Sequence, residues 1–138
     1  MLSKRVKYAI KTLIFLDVNS GEQLYSAKFI SEKERIPLKF LEQILRQLKQ
    51  HQLIKSVRGA VGGYQLSKSS DSIKILDLVR IIDGPVALLP CASIKFYEPC
   101  HDCIDEEICT IRQLLVKVRD SILPILDTSI ADLRPQKN

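Results

Sequence analysis

Two runs of alternating residues flank glycines near the middle of this chain, LIKSVRG at 53–59 and GGYQLSK at 62–68. Leu53, Lys55 and Val57 alternate with Ile54, Ser56 and Arg58, and Tyr64 and Leu66 alternate about Gln65. Period-2 runs joined through glycine predict a β-hairpin. What precedes it is helical. Residues 3–18 put Val6, Ile10, Leu13 and Ile14 on one face with Lys4, Lys7 and Lys11 largely opposite, and Asn19-Ser20-Gly21 closes the helix. Ser26 is placed to cap a short helix over roughly 27–35 that carries Ala27, Phe29 and Ile30. Pro37 then sits where a first helical turn accepts proline. Leu38, Leu41, Leu45 and Leu48 recur after it at helical steps and predict a helix over 37–51. Two short helices separated by a few residues make a helix-turn-helix, and the hairpin after them is a wing.

Residues 73–83 (IKILDLVRIID) predict another helix, ended by Gly84-Pro85. The only cysteines follow, Cys91, Cys100, Cys103 and Cys109, spaced Cys-x8-Cys-x2-Cys-x5-Cys. With Pro90 before it, Pro99 inside it and no periodicity, 91–109 reads as a loop with at most one helical turn near its end. Ile111, Leu115, Val118, Ile122 and Leu126 then recur along a long helix, with Pro124 expected to kink it or weaken one turn. That apolar stripe exceeds what a small domain covers alone, so a second subunit is expected against it. Thr128-Ser129 with Asp132 reads as the start of a last short turn, and Arg134 onward as a frayed tail. The fold class is mostly α with a small β-hairpin wing: a winged helix-turn-helix plus a long dimerisation helix. The expected organisation is a DNA-binding domain at 1–84, a cysteine-rich sensor loop at 85–109, and a dimerisation helix with tail at 110–138.

Charge supports a polyanion partner. Residues 1–58 hold 12 Lys+Arg against 5 Asp+Glu, whereas 91–138 hold 6 against 8. With the leucines buried, Lys39, Glu42, Gln43, Arg46 and Gln50 face outward. Arg and Lys reach phosphates and guanine, Gln pairs with adenine, and Glu accepts from cytosine N4, so this face suits a major groove. On the wing, Ser56 and Arg58 share a face beside Gly59, where an arginine can approach DNA closely. An ordinary solvated helix face is the bland alternative for either element alone; the two together favour double-stranded DNA.

Four thiols clustered in one loop point to a metal or iron–sulfur site. Tetrahedral zinc, or no metal at all, are the alternatives. Asp102, Asp105, Glu106 and Glu107 surround the thiols and read as solvent-facing loop residues. No apolar run reaches the ~18 residues that would span a bilayer, and the basic N-terminus continues as an amphipathic helix rather than a signal peptide. A cytoplasmic protein is expected, and no membrane partner. His51 reads as a surface residue, and no Ser/His/Asp or phosphate-cradling motif stands out, so no enzyme is expected.

The stretch LEQILRQLKQHQLIKSVRGAVGGYQL (41–66) resembles the signature of the IscR/NsrR/CymR-type winged-helix regulators, the Rrf-two family. Their pattern is a Leu-Glu-Gln helix followed by a Val-Arg-Gly, Gly-Gly-Tyr-x-Leu hairpin. SKRVKYAI at the N-terminus is similar to their first helix, and ILDLVRIIDG (75–84) to the helix leading to their cysteine loop. The resemblance covers nearly the whole chain, and the wing motif is its specific part. It implies a dimeric bacterial transcription regulator, many of which sense iron–sulfur status, nitric oxide or redox state through the loop; members without a cluster work as thiol sensors or bind protein partners. It further implies that Ser56, Arg58, Glu42 and Gln43 read bases and that Lys39 and Arg46 mainly contact phosphates. Cys91, Cys103 and Cys109 correspond to the family's three cluster ligands. Where some members place a ligating His this chain has Arg112, and where others use an acidic residue near the N-terminus it offers Tyr8. Cys100 is therefore the expected fourth ligand, ahead of His101.

Overall fold

The computed structural model describes residues 2–136. In order it runs α1 (Lys4–Val18), α2 (Ala27–Glu34), α3 (Leu38–Gln50), β1 (Ile54–Val57), β2 (Gly63–Leu66), α4 (Ile75–Ile82) and α5 (Thr110–Leu126), with short 3-10 turns at Ser70–Ser72, Pro90–Ala92 and Ala131–Leu133. This is the expected winged helix-turn-helix with an appended long helix. No helix among the described residues is long and apolar enough to cross a membrane.

Caps set the first two helices. Ser3 accepts from the Val6 N–H at the start of α1, and Ser26 from the Phe29 N–H at the start of α2. α2 ends at Arg35, whose left-handed backbone (φ 53°) turns the chain into α3 while Ile36 drops into the core. Leu41, Leu45 and Leu48 are buried as the leucine repeat predicts, but the burial differs at two positions. Ile44 is fully buried, and Leu38, at the first position of the helix, is exposed. On α1 the buried face centres on Val6, Ala9, Leu13 and Leu16; Ile10 and Ile14 lie half-buried on its flank.

The wing pairs antiparallel, Ile54 with Leu66 through Val57 with Gly63. Tyr25 adds a bridge to Tyr64, with N–H···O distances of 3.3 and 2.8 Å in the two directions. A side chain at Gly63 would strike the Tyr25 backbone at 2.5 Å, and one at Gly62 would strike the Val57 carbonyl at 2.2 Å. Gly63 thus lets the wing close against the α1–α2 connection, and Gly62 lets the hairpin turn back on its own first strand.

The C-terminal part departs from the expected tail. α4 begins at Ile75 rather than Ile73, because Ile73 and Lys74 are extended and pair with the segment after α5. Ile130 N–H donates to Ile73 C=O and Ile75 N–H to Thr128 C=O, each at 2.9 Å. Ile130 is fully buried in the core of the N-terminal helices. The predicted short turn is present, with Ser129 N–H and Oγ both donating to Asp132. Arg134, expected to fray, grips Asp17 through Nε and Nη2 (2.5 and 3.0 Å) and reaches Ser70 Oγ at 3.0 Å. Lys137 and Asn138, the end of that predicted tail, lie outside the described residues. α5 runs through Pro124 to Leu126.

The Asp17 carboxylate, buried in the last turn of α1, is held below the usual carboxylate range chiefly by its hydrogen bonds from Arg134. A carboxyl depressed by folding contributes stability above its unfolded pKa and loses it as pH falls through the lower folded value. Asp17→Asn should cost about 2 kcal/mol at neutral pH, read from urea unfolding. The gap between wild type and variant should hold from about pH 5 upward and close in acid below about pH 4.

Candidate nucleic-acid interface and cysteine loop

The outward face of α3 carries Lys39, Glu42, Gln43, Arg46 and Gln50, all exposed while the opposite face fills the core. At the wing tip Arg58, Gly59, Ala60 and Val61 are exposed, and Ser56 is half-buried on the strand leading there. Arg58 follows the last residue of β1 and Gly59 has φ 130°, so the arginine stands where the hairpin turns. A protruding helix face beside an extended tip is the geometry by which winged helices enter a groove and its neighbour. The described residues place no carboxylate within ion-pair distance of Lys39, Arg46 or Arg58, which leaves these cations free for phosphate or base edges.

Two residues that the sequence reading did not single out belong to the same surface. Gln47 is half-buried, and its Nε2 donates to the Ile81 carbonyl at 2.9 Å. Its Oε1 accepts from Arg5 Nη2 at 3.3 Å. Arg5 thereby joins the rim of α3 from the first turn of α1. A basic residue in an N-terminal lysine run was the only sequence signal for it.

The cysteine loop is anchored at its two ends. The 3-10 turn Pro90–Ala92 lies at the start of the loop, not near its end as the sequence suggests, and it buries Cys91. Arg112 Nε donates to the Cys91 carbonyl at 3.1 Å and Arg119 Nη1 to the Ala92 carbonyl at 2.7 Å, binding this turn to α5. Arg112 thus holds the backbone of the loop. Cys109 caps α5, its Sγ accepting from the Arg112 N–H at 3.4 Å. Glu98 N–H returns to the Pro90 carbonyl at 3.4 Å, which brings Cys100 back to Cys91, and Cys103 N–H donates to the Cys100 carbonyl at 3.3 Å.

The Cys100 thiol is pushed up first by its hydrogen bond with Cys91, then by burial and by Asp102. The exposed Cys103 thiol is raised by partial desolvation and by Cys109 and Glu106. All four cysteines are unpaired. The donor types fit iron–sulfur or zinc ligation. Among the described residues, however, no three His, Cys, Asp or Glu groups close on one point. Cys91 and Cys100 meet through a hydrogen bond.

A helix-turn-helix with a wing, a basic outward helix face and an appended helix is the architecture of a DNA-binding transcriptional regulator. A family model described as "Rrf2: Iron-dependent Transcriptional regulator" matches residues 2–135. The chain belongs to the Rrf2 family. It is 39% identical over 131 residues to an rrf2-like HTH-type transcriptional regulator of Rhodobacter capsulatus, covering 93% of this chain and 87% of that protein. It is 31% identical to the regulator CymR of Bacillus subtilis, over 96% of this chain and 88% of that one. The solved structure of that protein, described as the global cysteine regulator, superimposes with a TM-score of 0.78 over 96% of this chain and 95% of its own, at 30% identity. IscR of T. potens gives 0.75 over 96% of this chain and 85% of its own, at 28% identity.

Proposed function

We propose that this regulator is a cytoplasmic homodimeric repressor whose α3 and wing read an operator and whose cysteine loop carries an iron–sulfur cluster that sets operator affinity. The observation that carries the DNA-reading part is the exposed set Lys39, Glu42, Gln43 and Arg46 on α3, beside Ser56 and Arg58 on the wing. Gln43, Glu42, Ser56 and Arg58 are assigned to bases, Lys39 and Arg46 to phosphates. Two-fold pairing through α5 would set two α3 helices about one turn of DNA apart, roughly 34 Å.

For the loop, Cys91, Cys103 and Cys109 are assigned as ligands, with Cys100 as the fourth. Bound there, a cluster would supply a centre responsive to iron, nitric oxide or redox state. One observation supports a sensing role for the loop: it is tied to α5 by Arg112 and Arg119, so a group bound in it would bear on that helix. The second reading is a zinc-bound or metal-free regulator answering to a protein partner or to thiol chemistry; it draws on the open spacing of the four cysteines.

Substitution separates base reading from phosphate contact. Arg58→Ala and Gln43→Ala should each cost about 1–3 kcal/mol on the selected operator and relax preference at one position. Lys39→Ala should weaken operator and scrambled duplex alike and flatten the salt dependence. Fluorescence anisotropy on both duplexes checks this; an Arg58→Ala protein with unchanged operator affinity would remove the wing from the reading.

A further inference from the structure

The arginines of this chain divide sharply. Arg80, Arg112, Arg119 and Arg134 each have a carboxylate within 4.0 Å. Arg5, Arg35, Arg46 and Arg58 have none among the described residues. Arg5 differs from the other three unpaired arginines in being half-buried rather than exposed. Its Nε is shielded and meets no acceptor. Among the described residues its one side-chain hydrogen bond is the long contact to Gln47, and Gln47 is itself pinned to the Ile81 carbonyl.

Between the first turn of α1 and the C-terminal half of α3 is an open cleft of about 360 Å³, lined by Arg5, Gln43, Arg46, Gln47, Gln50 and His51. No carboxylate lines it. We propose that this cleft is a seat for one backbone phosphate of the bound duplex, with Arg5 as its fixed cation and Arg46 and His51 as adjustable donors. The proposal rests on α3 facing the groove, and it adds a contact from α1 that neither the helix-turn-helix nor the wing supplies.

Three features point to a phosphate. The lining holds two guanidinium groups and amide donors with no internal anion, so the charge it is built to neutralise comes from outside. A guanidinium matches two oxygens of a phosphodiester at once, and one already oriented by Gln47 loses little freedom on binding. Gln43 and Arg46 belong both to the cleft and to the outward face of α3, so a strand at the edge of the groove passes over it. Contacts of this kind fix register on the duplex and carry no sequence information.

The test measures binding to two labelled duplexes of about 30 base pairs, one a selected operator and one of mixed sequence, across a series of KCl concentrations. Arg5→Gln should weaken both roughly tenfold and reduce the slope of log affinity against log salt by about 0.9 for each subunit bound. Arg5→Lys, which keeps the charge and loses the fork, should restore the slope; that restoration also shows that charge rather than folding is being read. Inorganic phosphate at matched ionic strength should displace DNA no better than chloride does. Unchanged slope and affinity in Arg5→Gln, a loss confined to the operator, or specific displacement by free phosphate would each overturn the seat. A wild-type protein binding neither duplex in a salt-dependent way would bring down the α3 reading itself, and the seat with it.

Discussion

Glutamate at Leu114 and Ile125 together should leave the protein monomeric in sedimentation at micromolar concentration and lower operator affinity by at least about 100-fold. The expectation starts from α5, a helix of 17 residues with no buried side chain. One edge of its apolar surface is used: Val118, Ile122 and Leu126 line an apolar cleft with Leu2, Val79 and Val86. The other edge leaves Ile111, Leu114 and Ile125 exposed by 63, 61 and 72%, with Ile122 between the two at 37%. Steps of 3, 8 and 3 place these four on one stripe. An apolar stripe of that length on a protein in water marks an interface. If the occupant is a second copy, two-fold symmetry places each glutamate at the interface twice, and each charge is buried without a partner at a cost of several kcal/mol. Dissociation then leaves each head to bind one half-site, and the avidity of two linked heads is lost. A double variant that stays dimeric, or a wild type that sediments as a monomer, would refute α5 as the dimer helix.

The sequence made this stripe only half legible. Ile111, Leu115, Val118, Ile122 and Leu126 satisfy helical spacing, but periodicity cannot tell which edge of a broad apolar surface faces the chain's own α4. In the structure Leu115, Val118 and Leu126 are the half-buried edge, and Leu114 and Ile125 extend the exposed one. The helix-turn-helix and wing were more legible because their signals are local. Leucine spacing sets α3, Ser26 caps α2, Gly62 admits the tight hairpin turn and Gly63 the close approach to Tyr25 that the wing needs.

Signals from distant partners were not legible. Ile73 and Lys74 read as helix until Ile130 and Thr128 offer them a strand-like partner from the far end of the chain. Arg134 reads as tail until a buried Asp17, itself near the negative end of α1, supplies its anchor. The interface shows the same division. Lys39, Glu42, Gln43 and Arg46 follow from helical phase alone, whereas Arg5 joins them only because α1 packs across α3 and Gln47 bridges the two.

The other large effect is expected at the cysteines. Protein purified without oxygen should be brown, with iron and sulfide in stoichiometric amounts, and Cys91→Ala should be colourless. Cys91 is the informative position because it is the buried thiol of the four, only 5% exposed, and its own carbonyl is tied to α5 through Arg112. Cys109, at the N-cap of α5, is the second fixed point, while Cys100 is half-buried against Cys91 and Cys103 is exposed. Closing the loop would therefore draw its outer segment onto two anchors, one in the turn bound to α5 and one at the N-cap of α5. That is how a change at the thiols would alter the order or spacing of the two DNA-reading heads. A coupling of about 1–3 kcal/mol in operator affinity between loaded and unloaded protein is the expected size of such a switch. Single alanine variants distinguish the ligand sets. Loss of iron at Cys91, Cys103 and Cys109 with retention at Cys100 means three thiolates and an outside ligand. Loss at all four means an all-thiolate site. A colourless wild type with stoichiometric zinc, or iron retained in every variant, would refute the cluster reading and leave the partner- or thiol-controlled regulator in its place.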